Sequence, residues 1–453
     1  DCLSFSFRFS FTFNPSEFTE LDDEFVVREL TFIADYIGQN YPDTEIYATN
    51  HGTAGQPTAN YGVRYFDLPQ FAPENLGVKV HTLMFFDLFR PAPVYGNDDF
   101  NFLYEFMVQE YQTRNLVYFP ESAWWLTFDL PVPLYLPITI EARDVDIQGI
   151  KHMLDGKLVG HRTFGSGHEW GYWQNEYCSL RLSADVNYSY RDCLRDIASP
   201  MGPAASTVVD VLEQVIRYQE RDIIYGDLIP YLVGSDPETE VALLAGIHFH
   251  DLPPAVPAIL GWTEDEVAQW RRRIEPALLR MDRDYEVQVA RLDAVRPLVP
   301  ERGRPWFDEI ADGVEVTGLR ARHALHLYGA LVTLRESQLQ GDDALRRTAQ
   351  RQLDAARADT VAATQVIRRR EAQYRYQPLA RAIAGGPDGS EDENWTVYRY
   401  RYLNRTHHAY YYTRIDRLAE QAFAGGVQAL DLPDAMLGPE QSLAIDVVDP
   451  GAD

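Results

Sequence analysis

Cysteine and lysine are scarce in this chain. Only Cys2, Cys178 and Cys193 occur in 453 residues. No two of them have the spacing of a metal-binding pair, which argues against a structural zinc site. Cys178 and Cys193 are placed to bond across a short loop if the protein is exported. Lys79, Lys151 and Lys157 are the lysines, so arginine supplies 38 of the 41 basic residues. Compositional bias in the coding sequence accounts for this more simply than function does. Positive charge is short overall: 68 acidic residues leave a net charge of −27, with −15 in residues 1–200 and −12 in the rest. Such an even excess of acid does not suit nucleic acid or an anionic membrane as partner, since both need a basic face. No run approaches the roughly 18 apolar residues of a membrane-spanning helix. GxxxxGK[ST], GxGxxG, GxSxG and HExxH are missing, so the chain lacks the signatures of phosphate-loop, dinucleotide, serine-hydrolase and zinc-protease chemistry. No cofactor or metal is expected.

What is present divides near residue 200. In the first part strand signals alternate with helix signals. Leu3 to Phe13 alternates apolar and polar residues with a period of two. A helical stretch from Asp23 to Gln39 follows, then strands at 45–49, at 77–86, before Glu121 and before Glu169, with a helix at 100–112. The strand ends fall near 13, 49, 86, 119 and 164. Their spacing suits βα units, which repeat about every 31 residues in a (β/α)8 barrel. The fold expected is therefore α/β: a parallel (β/α) barrel over residues 1–200, with about three units upstream of Asp1. An open doubly wound sheet is the alternative. After Pro200-Met-Gly-Pro203 the apolar residues recur at helical spacing, as in Val208, Val211, Leu212, Val215 and Ile216. Helices are expected over 263–297, 305–338 and 342–374. Residues 201–425 thus read as an α-helical bundle and 426–453 as an irregular tail.

Two segments carry most of the functional information, Phe119-Pro-Glu-Ser-Ala-Trp-Trp125 and Gly165-Ser-Gly-His-Glu-Trp-Gly-Tyr-Trp173. Each sets a glutamate among tryptophans directly after a strand. In parallel α/β folds the ligand lies at the C-terminal strand ends. Those ends present Asn50 and His51, Asp87, Glu121, and His168 with Glu169. Hydrolysis of a glycosidic bond needs two carboxylates about 5 Å apart for retention or 6.5–9.5 Å for inversion. Glu121 and Glu169, on neighbouring strands, are the candidate catalytic pair. Trp124, Trp125, Trp170 and Trp173 offer flat faces for sugar rings, and at least one of the four is expected to be core. Asn50, His51, Asp87 and His168 complete the expected substrate-binding set.

This arrangement resembles the (β/α)8-barrel glycoside hydrolases, many of which carry one catalytic glutamate after strand four and another after strand seven. The resemblance is architectural and covers at most residues 1–200. It implies that Glu121 follows strand seven as nucleophile and Glu17 follows strand four. Asn usually directly precedes the strand-four glutamate. Here Pro15-Ser16 separates Asn14 from Glu17, so Glu169 ranks above Glu17 as the acid. The expected function is a glycoside hydrolase acting on a carbohydrate through paired carboxylates. The rivals are a non-catalytic glycan-binding protein on the same scaffold and a metal-dependent hydrolase using Asp87, His51 or His248-Phe-His-Asp251.

Overall fold

In the computed structural model the described residues are 23–51, 57–93, 97–122, 134–163, 170–233, 254–373, 412 and 415–425. They form a mostly helical protein around a small parallel sheet. The first helix, α1 (Asp23–Asn40), leads into β1 (Ile46–His51). A 3-10 turn at Tyr65–Phe71 precedes β2 (Leu76–Thr82). Next come α2 (Asn101–Glu110), β3 (Leu116–Pro120), α3 (Ile138–Ile150) and β4 (Leu158–His161). The sheet runs β1-β2-β3-β4 with every pair parallel, and Ile46 lies opposite Leu76 and Val78 opposite Leu116. Strand–helix alternation thus produces the parallel sheet it implies. An eight-stranded barrel is not formed among the described residues, whose sheet has four strands. The expected first strand at 3–13 lies outside them.

Two strands stop earlier than their apolar runs. The run of β2 extends to Phe86 but the strand ends at Thr82, because Met84 turns the backbone into the left-handed region at φ 50°. β4 ends at His161 rather than near Phe164.

The two faces of the sheet differ, since successive side chains point to opposite sides. One face carries Val78, Val80, Leu116 and Tyr118, which join Phe102, Leu103 and Phe106 of α2 and Ile147 and Ile150 of α3 in a continuous buried core. The other face carries Thr49, Lys79 and His81, all buried. An interior sheet face with that much polarity needs partners for every group.

Beyond β4 the described residues are mostly helical: α4 (Tyr172–Ala184), α5 (Tyr190–Ala198), α6 (Ala205–Gln219), short α7 (Ile229–Val233) and α8 (Val256–Leu260), then α9 (Glu264–Val295), α10 (Arg304–Gln340) and α11 (Asp343–Gln373). The three long helices fall within about two residues of their expected limits. Thr263 and Glu266 close a reciprocal capping box at the start of α9, and Gly341 ends α10 with φ 65°. α10 is the axis of this part, buried along most of its length. Gly313 on α10 leaves room for Tyr135, whose Cγ would lie 2.7 Å from a Cβ there. The two parts are sewn together at this point. The Gln219 amide donates to the Tyr135 carbonyl (2.7 Å) and the Tyr285 hydroxyl (2.9 Å), and Thr317 Oγ1 accepts the Tyr135 N–H at 2.8 Å.

Cys178 of α4 and Cys193 of α5 are fully buried and disulfide-bonded, with Cα atoms 5.6 Å apart. Closing a loop of this length removes about 3 kcal/mol of unfolded-state entropy. The double variant Cys178→Ser/Cys193→Ser is therefore expected to unfold at lower urea concentration by a stability loss of about 2–4 kcal/mol. Equal urea midpoints for the variant and the oxidised wild type would show that the bond does not constrain the chain.

Candidate active site

The polar face of the sheet leads to Glu121, the residue after β3. Its carboxylate is 3% exposed. Oε2 accepts the Met84 N–H at 2.5 Å, and Oε1 lies 3.3 Å from His81 Nε2. The His81 ring packs on Phe119, with centroids 5.2 Å apart, and Arg162 lies over the same Phe119 ring. Sequence reasoning singled out Glu121 but not His81. The pairing depends on β2 and β3 lying in register, His81 opposite Phe119, which no local pattern announces. Met84 is the one non-glycine residue with positive φ among the described residues. Strain of this kind collects where backbone groups are aimed at a functional centre, and here it points a buried N–H at the carboxylate. Lys79, two residues before His81 on the same face, has its pKa lowered by burial and by the charge of Arg162.

A second carboxylate stands across Ser122. Glu176 on the first turns of α4 accepts a 3.4 Å hydrogen bond from Ser122 Oγ. It is half-buried, and burial raises its pKa against the opposing effect of that hydrogen bond. The start of α4 is fixed from the helical part. Gly171, at φ 73°, donates its N–H to Glu309 Oε1 at 3.3 Å, and Glu309 is held in a buried ion pair by Arg370. Asn175 on the same turn is 1% exposed, and neither of its amide atoms has a hydrogen-bond partner among the described residues.

The remaining sequence-derived residues separate into three groups. Asn50 is buried at the end of β1 and donates to the Phe66 carbonyl at 2.7 Å, and His51 closes that strand in register with His81. Trp173 is half-buried against Trp306, with centroids 5.3 Å apart. Trp306 is 46% exposed, so this pair keeps open aromatic surface that the sequence reading missed. Two residues depart from expectation. Asp87 is 1% exposed, accepts the N–H groups of Phe89 and Arg90 at 2.8 Å each, and pairs with the Arg90 guanidinium. It closes a turn rather than facing a substrate. Trp170 is also 1% exposed and takes the Arg370 guanidinium 4.4 Å from its ring centre, which makes it core rather than a sugar platform. Trp124, Trp125, His168 and Glu169 lie outside the described residues, as do Glu17, His248, His250 and Asp251. Among the described residues no three His, Cys, Asp or Glu side chains gather as metal ligands, and no helix is long and apolar enough to cross a membrane.

No protein-family model matches this sequence, and no curated protein sequence does. Among solved structures, the chain is similar, at 10% identity and a TM-score of 0.47, to a GH138 enzyme targeting pectin rhamnogalacturonan II. The match covers 90% of this chain and 65% of that one. The present chain therefore spans under two thirds of that protein's length. A likeness this distant carries no argument about function.

Beneath the site, on the helix-packed face, Tyr118 donates to Asp146, which also accepts the Leu88 N–H at 2.7 Å and lies 3.6 Å from Arg143. Burial raises the Asp146 pKa to about 7. His161, stacked on Tyr118 and bonded to Ser183, is pushed down to about 4 by burial and then by Arg143. The signs oppose. Asp146 keeps a proton in the fold that the unfolded chain releases above about pH 4, so its contribution to stability falls as pH rises from 4 to 7. Unfolded His161 takes up a proton below about pH 6.5 that the folded ring refuses, so its contribution falls as pH drops from 6.5 to 4. Asp146→Asn should therefore make stability drop more steeply on acidification than in the wild type, and His161→Gln less steeply. Urea titrations from pH 4 to 7 test this, and parallel curves for all three proteins would refute it.

Proposed function

We propose that this protein is a glycoside hydrolase acting on a glycan through paired carboxylates, with residues 1–200 supplying the chemistry and the helical residues 201–425 supporting it. The observation that carries the reading is Glu121: a buried carboxylate at a C-terminal strand end, oriented by His81 and a strained main-chain N–H. With a main-chain donor on Oε2 and the His81 ring 3.3 Å from Oε1, Glu121 suits the nucleophile or general base rather than the proton donor. Glu169 is the proposed acid, with Asn50, His51, His168, Trp124, Trp125 and Trp173 around the sugar. The disulfide fits an oxidising compartment, where an enzyme acting on external glycans would work.

Glu176 offers a second reading of the acid. A carboxyl that burial keeps protonated to higher pH is what proton donation to a leaving oxygen requires, and Ser122 ties it to the residue following Glu121. The two readings part on the pH profile. Turnover needs the donor protonated, so activity declines above the donor's pKa, and that alkaline limb disappears when the donor is replaced. On a panel of aryl glycosides, Glu121→Gln should lower kcat by about 10²–10⁴ with the fold intact. Of Glu169→Gln and Glu176→Gln, only the donor's variant should lose the alkaline limb. Wild-type turnover by Glu121→Gln would defeat the mechanism. Glycan binding without cleavage by the native protein would favour a carbohydrate-binding protein.

A further inference from the structure

A second built cavity lies in the helical part, well apart in sequence from the sheet ends. It has a volume of about 490 Å³, within the range of small-ligand sites. Its wall is one face of α9: Glu266, Gln269, Trp270, Arg273 and Ile274 all line it, at the i, i+3, i+4, i+7, i+8 positions that share a helical stripe. On a helix packed into a bundle that stripe is normally apolar. Here it mixes the buried indole of Trp270 with exposed planar polar groups. Asp227, Pro230, Tyr231, Pro254 and Trp262 complete the lining.

The aromatic members are held rigidly. The carbonyl of Trp262 accepts Arg335 Nε at 2.6 Å and its N–H donates to Ile259 at 3.1 Å, which fixes the residue from both sides. Trp262 remains partly exposed, whereas Tyr231 is buried and braced edge-on by Tyr328 at 5.0 Å. The polar members are exposed at the rim, where Arg273 pairs with Asp227 and Glu266 is anchored by its capping box. Charge at the mouth is thereby largely satisfied internally, so a strongly charged ligand is not what the site recognises. The partly exposed ring of Trp262, on a backbone held at both its carbonyl and its N–H, suits the C–H face of a pyranose ring. Carboxylate, amide and guanidinium groups suit adjacent hydroxyls, because each offers two atoms at fixed spacing.

We propose that this cavity is a second glycan-binding site, which holds a neutral sugar unit against Trp262 and is separate from the carboxylates at the sheet end. It shares the ligand class of the hydrolase reading but does not depend on cleavage. Affinity electrophoresis of the full chain through gels containing arabinoxylan, galactomannan, arabinogalactan or polygalacturonate tests it. The wild type and Glu121→Gln should be retarded equally by at least one neutral polysaccharide, and Trp262→Ala should lose at least tenfold in affinity. Gln269→Ala, a change on the exposed rim, should weaken retardation as well and controls for misfolding of the tryptophan variant. Turnover of a short aryl glycoside should be unchanged in Trp262→Ala. Absence of retardation in all four gels, retardation by polygalacturonate alone, or undiminished retardation of both variants would overturn the proposal. Loss of binding in the variants of a protein that cleaves nothing would leave this site standing and remove the hydrolase reading.

Discussion

A carboxylate taken out of water costs several kcal/mol unless polar groups replace its hydration, and at Glu121 two such groups, the Met84 N–H and the His81 ring, come from a segment of chain other than its own strand. His81 belongs to β2 and Met84 to the turn that ends it, while Glu121 follows β3. Parallel pairing of β2 with β3 is therefore a condition for burying this charge. The same pairing sets the backbone course, since the N–H of Met84 reaches Oε2 only because residue 84 adopts a left-handed conformation that a buried methionine would otherwise avoid. Energy spent on that turn returns as orientation of the carboxylate.

The surrounding layers hold this arrangement from both sides. On the helix-packed face, Arg143 donates to Thr82 Oγ1 at 2.8 Å and to the Phe86 carbonyl, so it grips the two ends of the segment that carries Met84. Tyr118 and Asp146 fill the space beneath. From the helical part, Glu309 and Arg370 fix Gly171 and with it the first turn of α4, on which Glu176 stands. A methyl group at Gly171 would meet the Tyr135 ring at 2.4 Å, so the same small residue allows both the turn and the junction between sheet and bundle. Buried ion pairs of this kind are weak sources of stability but strong sources of geometry.

Much of the scaffold was legible in the sequence because local chemistry decides it. Apolar residues at helical spacing announce α9, α10 and α11, and the apolar runs at 45–49 and before Glu121 announce strands. Glu121 was nominated because strand ends are where parallel sheets place ligands. What was hidden depends on pairing across long stretches of chain. His81 sits in an apolar strand and acquires meaning only opposite Phe119. Glu176 reads as an ordinary helical acid until Ser122 is set against it. Asp87 looked available because its partner Arg90 is brought back onto it by a tight turn. Trp170 looked like a platform because the arginine that covers it, Arg370, lies far along the chain. The stripe from Glu266 to Ile274 reads as an ordinary helix face until Tyr231 and Trp262 join it in lining one cavity.

The contact between His81 and Glu121 is the centre of this account, and His81→Phe isolates it by keeping an aromatic ring against Phe119 while removing the nitrogen that faces the carboxylate. On the proposed glycosidase reading, the most direct test is steady-state kinetics of this variant and the wild type across the aryl glycoside panel. The account predicts that kcat falls about tenfold or more with KM little changed, the kinetic equivalent of about 1.4 kcal/mol of barrier. An unchanged kcat would contradict it.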